Sequence, residues 1–410
     1  MAATWLMIAV EGPLVAAVVA RLPDAKIELA AYGVAYAIAL IAEAPVLMLL
    51  SASTALVDGG QAFRRLRRFT HALDLGVTVV LALALIPAVF EVWARGALGL
   101  PAEVAASAHR ALLALLPWPA AIGYRRFYQG ILIRSDRTHR VAVGTIVRLA
   151  AMAGAAFTGL AAGGRIPGAT VGGLALTAGV VAEAVAARVM ARPAVRAARE
   201  QPGGSQLDLS TIASFYVPLA LTSILALAIH PMMTLFVGRS RLAIESLAVL
   251  PVVNALTFVF RSVGLSFQEV AIAQLGRTSA NREPVARFAT VLAAGASLGL
   301  AAVAWSPLAD LWFQGVSGLP PNLAELAIAP ARVMTLLPAI SVWQAWQRAE
   351  LVDRRRTAIA SWATAIEVAA TAAVLAVGIF ALDAVGAVAA AWAFLLGRLA
   401  GNLSVWVAVR

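Results

Sequence analysis

The chain has no cysteine, which excludes a disulfide framework, a thiolate metal site and a cysteine nucleophile. Lysine is nearly missing as well: Lys26 stands alone, and the net charge of +11 rests on arginine. Charged residues of every kind make up only 13% of the chain against 61% hydrophobic, and the mean hydropathy is +0.86. A soluble domain carries about a quarter charged residues, so that class is excluded. What remains is an all-α polytopic membrane protein, its 410 residues to be counted in spans of about 20. Histidine is scarce too, and His71, His109, His139 and His230 form no cluster with carboxylates at metal-ligand spacing. No phosphate-cradling glycine loop of the P-loop type occurs. We therefore expect no enzyme, no metal, and no cofactor beyond a coupling H+ or Na+.

Twelve apolar segments can be cut. The first half holds Ala2–Ala20, Ile27–Ser51, Thr70–Phe90, Ala111–Ile133, Val141–Leu160 and Thr170–Met190. The second holds Thr211–Val237, Ala243–Ala273, Val285–Trp305, Leu323–Gln347, Ala358–Phe380 and Ala384–Val409. Long Ala/Leu-rich runs without period-two alternation argue against a membrane β-barrel. The first run starts without a basic leader or cleavage site, so it reads as a span rather than a signal peptide. Arginines gather in alternate connections: Arg64, Arg65, Arg67 and Arg68; Arg134, Arg137 and Arg140; Arg192, Arg196 and Arg199; Arg277, Arg282 and Arg287; Arg354, Arg355 and Arg356. Ala161–Ala169 has only Arg165, and Leu382–Asp383 has none. Basic loops face the cytoplasm, so both termini are expected there, in a bacterial inner membrane. The same reading assigns the basic excess to loops and not to a nucleic-acid partner.

The halves repeat. Pro13 matches Pro231, Arg21 matches Arg239, Leu29-Ala30 matches Leu247-Ala248 and Glu43 matches Arg261, each pair 218 apart. Trp93 matches Trp312, Gly99-Leu100-Pro101 matches Gly318-Leu319-Pro320, Thr138 matches Thr357 and Arg148 matches Glu367, each 219 apart. A same-direction repeat held over most of each half predicts two six-helix lobes, 1–190 and 211–410, related by a pseudo-twofold axis and joined by a polar cytoplasmic linker at 191–210.

Ionisable groups inside spans carry the functional reading, because a charge at mid-span costs about 2.5–3.5 kcal/mol on insertion scales. Such groups face a bundle interior or a wet cavity. They are Glu11, Glu43, Arg148 and Glu183 in the first half, and His230, Arg261, Glu269, Arg332, Glu367 and Arg398 in the second. Glu11 and His230 stand beside Pro13 and Pro231, where a helix bends and frees carbonyls. A titratable group there can sense the bend, or simply satisfy it. Glu43 and Arg261 hold equivalent places with opposite charge, as do Arg148 and Glu367. Such pairs can meet across the lobes and gate passage, or each charge can pair within its own half. Asn254, Arg261 and Glu269 share a helix face, which makes this the most polar-lined span. Arg261 and Arg332, if both point inward, would grip carboxylate or phosphate oxygens; Arg332 can instead snorkel to a headgroup. Arg21 and Arg239 end their spans and read as interface anchors, and Trp343-Gln344-Ala345-Trp346-Gln347 as an interfacial belt.

A six-plus-six repeat fits a major-facilitator transporter, but Asp58-Gly59-Gly60-Gln61-Ala62-Phe63-Arg64 only faintly echoes that family's loop. Phe215-Tyr216-Val217-Pro218-Leu219-Ala220-Leu221-Thr222 resembles the opening of the second lobe in the multidrug and polysaccharide (MATE/MOP) exporter superfamily. Within it, Leu29–Tyr36, Leu235-Phe236-Val237-Gly238-Arg239 and Pro330-Ala331-Arg332-Val333 resemble the progressive ankylosis protein and its bacterial relatives. The resemblance implies a V-shaped pair of lobes with alternating access and export of small anions such as citrate, pyrophosphate or nucleotides, with Arg332 and Arg239 carried over by motif. The expected function is a secondary transporter, a monomer in the bilayer. Arg261, Arg332, Asn254 and His230 would bind its small anionic substrate, with Glu11, Glu43, Glu269, Arg148 and Glu367 in gating or coupling. The alternatives are a cation-coupled multidrug exporter or a lipid-linked substrate flippase of the same superfamily, and, in another class, a membrane scaffold.

Overall fold

The structure, a computed structural model, describes residues 2–200, 207–275, 282–354, 356 and 358–409, with backbone alone for 2–4, 273, 352, 353 and 358. Arg277, Arg355, Thr357 and part of the 191–210 linker lie outside the described residues. In hydrocarbon every backbone N–H and C=O must find an internal partner, and the described chain answers with helices.

Twelve rods run in order. They are α1 (Ala2–Ala20), α2 (Ala25–Leu56), α3 (Gly60–Ala84, then Pro87–Ala97 after a 73° bend) and α4 (Ala102–Ala114 and Trp118–Arg134). Then come α5 (Thr138–Ala161) and α6 (Gly168–Met190). After a short helix at Arg192–Glu200 follow α7 (Leu209–Val237), α8 (Ala243–Leu275) and α9 (Arg282–Ala304). The chain finishes with α10 (Pro321–Leu351), α11 (Ile359–Ala381) and α12 (Gly386–Val409). Nine helices among the described residues are long and apolar enough to cross a membrane, ten with the bent pair of α3 counted as one. The rest of the expected twelve are the shorter α1 and the two-piece α4, whose second piece carries Arg125 and Arg126.

The repeat is visible as matching irregularities. A widened helical turn closes α3 at Val92–Ala97 and recurs after α9 at Leu311–Val316, 219 residues on. The break in α4 before Trp118 has its counterpart in the tight turn Met334–Leu336 of α10. Gly99 and Gly318 then take left-handed φ values of 69° and 72°, a conformation that favours glycine.

The prolines act unequally. Pro231 cannot donate to the carbonyl of Leu227, and α7 breaks there, into Leu209–Leu227 and Ile229–Val237. Pro13 leaves α1 unbroken, so the expected bend beside Glu11 is not a break.

Small residues let the rods approach, as in other membrane helix interfaces. Ala30, Ala31, Ala35, Ala248, Ala390 and Ala391 have no exposed surface. Across the two halves α2 meets α8 so closely that a Cβ on Gly33 would lie 2.7 Å from Pro251 Cγ and 3.2 Å from the Leu247 carbonyl. Large apolar side chains such as Val80, Val291, Leu298 and Trp362 point outward, the face a bilayer would cover.

Candidate functional site

Four of the expected ionisable residues, on α1, α2, α5 and α6, converge in the first half, with partners from one further helix, α4. Arg148 of α5 donates to Glu11 of α1 and lies 3.8 Å from Glu183 of α6. Glu183 also accepts from Arg125 of α4, and its other oxygen takes the Gln129 amide at 2.9 Å. Trp118 lies 5.7 Å from the Arg148 guanidinium and donates its indole N–H to Glu43 of α2 at 2.6 Å. All of these side chains are buried. Two carboxylates against two guanidinium groups leave the inner cluster balanced, the condition under which a buried ion network is tolerated. Glu43 stands apart: among the described residues its one hydrogen bond is from Trp118.

The second half uses the same pair of helices with the signs exchanged. Glu367 lies on α11, the counterpart of α5, and Arg398 on α12, the counterpart of α6. Arg398 Nε is 2.9 Å from Glu367 Oε1 but off the hydrogen-bonding direction, so charge holds that contact, while Nη1 donates to Gln344 Oε1. Gln344 in turn donates to Glu367 at 3.5 Å. The Asn402 side-chain amide donates to the Ile340 carbonyl at 2.9 Å, and the Asn402 backbone carbonyl accepts from Gln347 at 2.9 Å. The charge here is not balanced. Glu367 is the carboxylate in electrostatic reach of three guanidinium groups, those of Arg261, Arg348 and Arg398. Arg261 of α8 is half-buried and bonds the Ser341 hydroxyl at 3.1 Å. Among the described residues no carboxylate oxygen comes within ion-pair distance of it or of Arg348.

Of the two arrangements open to the charge-reversed pairs, the structure shows pairing within each half. Glu43 and Arg261 each find a neutral partner in their own half, and Arg148 and Glu367 pair locally; neither of these two charge-reversed pairs spans the halves. The cause is proximity along the fold: α5 packs on α6 and α11 on α12, so a complementary charge is available next door. Glu269 shares a face with Arg261 yet accepts from the Trp5 indole at 3.2 Å, near the ends of α1 and α8. His230 lies edge-on to Phe394, 6.3 Å between ring centres, and Asn254 makes no side-chain hydrogen bond among the described residues.

Arg332 requires correction. It is exposed, donates to the Ala304 carbonyl at 3.1 Å and covers the Trp305 ring at 4.9 Å. It caps the end of α9 rather than lining the interior with Arg261. Gln344 is the opposite case, a network member and not part of an interfacial belt. Sequence reasoning also missed Arg125, Gln129 and Arg348. The signal was present in Arg125-Arg126, two charges inside an apolar segment, and in the exchange at 219 residues of Arg125 for Gln344 and Gln129 for Arg348. A separate cavity of about 760 Å³ lies away from these networks, at the end holding the termini, among Trp343, Trp346, Glu350 and Arg282.

No family model matches the chain, and no curated protein matches it. Solved structures do. An inward-facing multidrug resistance MATE family transporter of the MOP superfamily superposes with a TM-score of 0.73 at 12% identity, over 98% of this chain and 95% of that one. The chain has the MATE fold. The lipid II flippase MurJ, in an inward closed conformation, aligns at 0.71 and 13% identity over 98% and 87%. A MOP superfamily transporter from Pyrococcus furiosus, described by the reverse polarity of its binding pocket, aligns at 0.58 and 11% identity over 98% and 94%. The MATE fold supplies the frame in which the two networks sit: equivalent helices, one half balanced, the other basic.

Proposed function

We propose that the chain is a secondary membrane transporter working by alternating access between its two six-helix halves, and that it carries a small anion on Arg261. The observation that carries this is the unneutralised charge of the second half. Three guanidinium groups share Glu367, and Arg261 offers the rest of its fork beyond the Ser341 bond. A buried charge without a counter-ion is expensive, and an anion with carboxylate or phosphate oxygens would supply one in two-pronged geometry. The resemblance to the progressive ankylosis branch points to the same substrates, citrate, pyrophosphate or nucleotide-like anions. Both termini face the cytoplasm in this reading, and one chain suffices.

A second reading, a cation-coupled drug exporter or a flippase, is favoured by one observation. Glu43 is a buried carboxylate hydrogen-bonded by Trp118 with no arginine at ion-pair distance among the described residues, which suits a proton or sodium site. The two readings combine if Glu43 couples and Arg261 binds. The test is uptake of labelled citrate or pyrophosphate by proteoliposomes. Arg261→Ala should abolish uptake and Arg261→Lys retain part of it, whereas dye efflux blocked by Glu43→Gln without any anion uptake would favour the second reading.

A further inference from the structure

The ends of the rods opposite the termini hold a feature that neither network explains. Arg21 closes α1, in the first half. Its Nη1 donates to the Ala17 carbonyl of its own helix at 2.8 Å. Its Nη2 crosses to the second half and donates to Gly315 at 2.8 Å and Val316 at 3.0 Å, in the widened turn after α9. Arg239 closes α7 and does the reverse. Its Nη1 donates to Leu235 at 2.9 Å, and its Nη2 crosses to the first half, to Gly96 at 3.4 Å and to Ala97, in the widened turn after α3. Every atom of one clamp has its repeat partner in the other, 218 or 219 residues away.

The chemistry explains the pairing. The last carbonyls of a helix have no partner inside it, and that end carries a partial negative charge. At each clamp the ends of two helices from different halves converge, and like ends repel. One planar guanidinium satisfies both at once, with separate donors for each. Glycines make room at both clamps: a Cβ on Gly318, just after the second-half turn, would lie 2.8 Å from Arg21 Nη1, and one on Gly238, which caps the end of α7, would lie 2.6 Å from the Leu98 carbonyl. Lys26 and Glu245 add a third tie between the halves at 3.1 Å, a half-buried, solvent-reached pair that contributes little by itself.

We infer that Arg21 and Arg239 form a reciprocal latch that holds this end of the two halves shut, and that both clamps must release for the molecule to open on that side. This rests on the reading of the halves as moving lobes, and in the proposed orientation the latched side is the outer one. The latch explains why the two arginines recur in the repeat although neither reaches the inner networks.

The absence of native cysteine makes the test direct. Spin labels at Glu103→Cys and Asn322→Cys, exposed repeat partners in the two halves at the latched end, report the opening distance in lipid nanodiscs. Glu103→Cys with Arg165→Cys, both in the first half, is the control. The starting protein should show one short distance for the first pair. Arg21→Ala with Arg239→Ala should move more than half of the molecules to a longer distance while the control pair stays fixed. Arg21→Lys with Arg239→Lys, which keeps the charge but loses the fork, should move a smaller share. An unchanged distribution in the double alanine variant would overturn the latch, and so would a shift of the control pair, which would mean that the arginines serve the first half's own fold. The distances need no substrate, so failure of Arg261 in transport and failure of the latch are separate results.

Discussion

Replacing Glu183 with glutamine tests the balance of the first-half network. Glu183 is buried and contacts both Arg125 and Arg148, while Glu11 neutralises only one of them. Removing its charge leaves one guanidinium in excess within helices at membrane depth. Breaking a buried pair by deleting one partner costs about 3–5 kcal/mol, and at roughly 2–4 °C per kcal/mol for a large domain the midpoint should fall by about 6–20 °C. The assay is thermal unfolding in one detergent, followed by a label-free signal. The second arm is Glu183→Gln with Arg125→Gln. That pair restores one carboxylate to one guanidinium, Glu11 to Arg148, so it should melt above the single variant despite carrying one more substitution. Neighbours in one network couple by about 0.5–3 kcal/mol, and here the coupling must be favourable. Additive losses would refute the reasoning, and so would a Glu183→Gln protein melting with the parent.

Other expectations are smaller. Gly33→Ala places a methyl within 2.7 Å of Pro251 Cγ and should cost about 1–3 kcal/mol by overpacking, read as a lower melting midpoint. Gly76→Ala, with open space around it, is the neutral comparison. Asp208 accepts from the Thr211 backbone N–H at 2.8 Å and caps the start of α7; Thr211, through its side chain first and its backbone N–H second, holds the carboxyl below the usual carboxylate range. Its capping contribution is therefore complete above about pH 4 and fades as pH falls through the lowered value. Hydrogen-exchange protection in the first turn of α7, taken relative to the intrinsic rate at each pH, should fall at low pH in the parent, and Asp208→Asn should flatten that dependence.

The repeat was the most legible feature, because it is written as spacing, and the fold repeats even its irregular turns at the same offset. Rod ends followed apolar runs to within a few residues, except in α3 and α4. There polar first turns, with Arg64–Arg68 in α3 and Glu103–Arg110 in α4, lie inside helices, so hydrophobicity alone started both rods late. Which rods touch was not legible, since span order says nothing of facing. That is why the sequence left open whether Arg148 and Glu367 meet across the halves or pair within their own, and the structure gives each a complementary charge on the adjacent rod. Arg332 misled for a local reason: a proline two residues before it resembles a cavity-lining kink, but its side chain is long enough to reach the Ala304 carbonyl at the end of α9. Arg21 and Arg239 matched in the repeat, yet only three dimensions show each reaching into the other half.

The central claim is that the second half keeps an arginine free to hold an anion. Binding of labelled citrate and pyrophosphate to the purified protein, compared with Arg261→Ala, tests it most directly. The account predicts saturable binding of at least one of them that weakens at least tenfold in the variant, about 1.4 kcal/mol. Equal affinity in both proteins would contradict it.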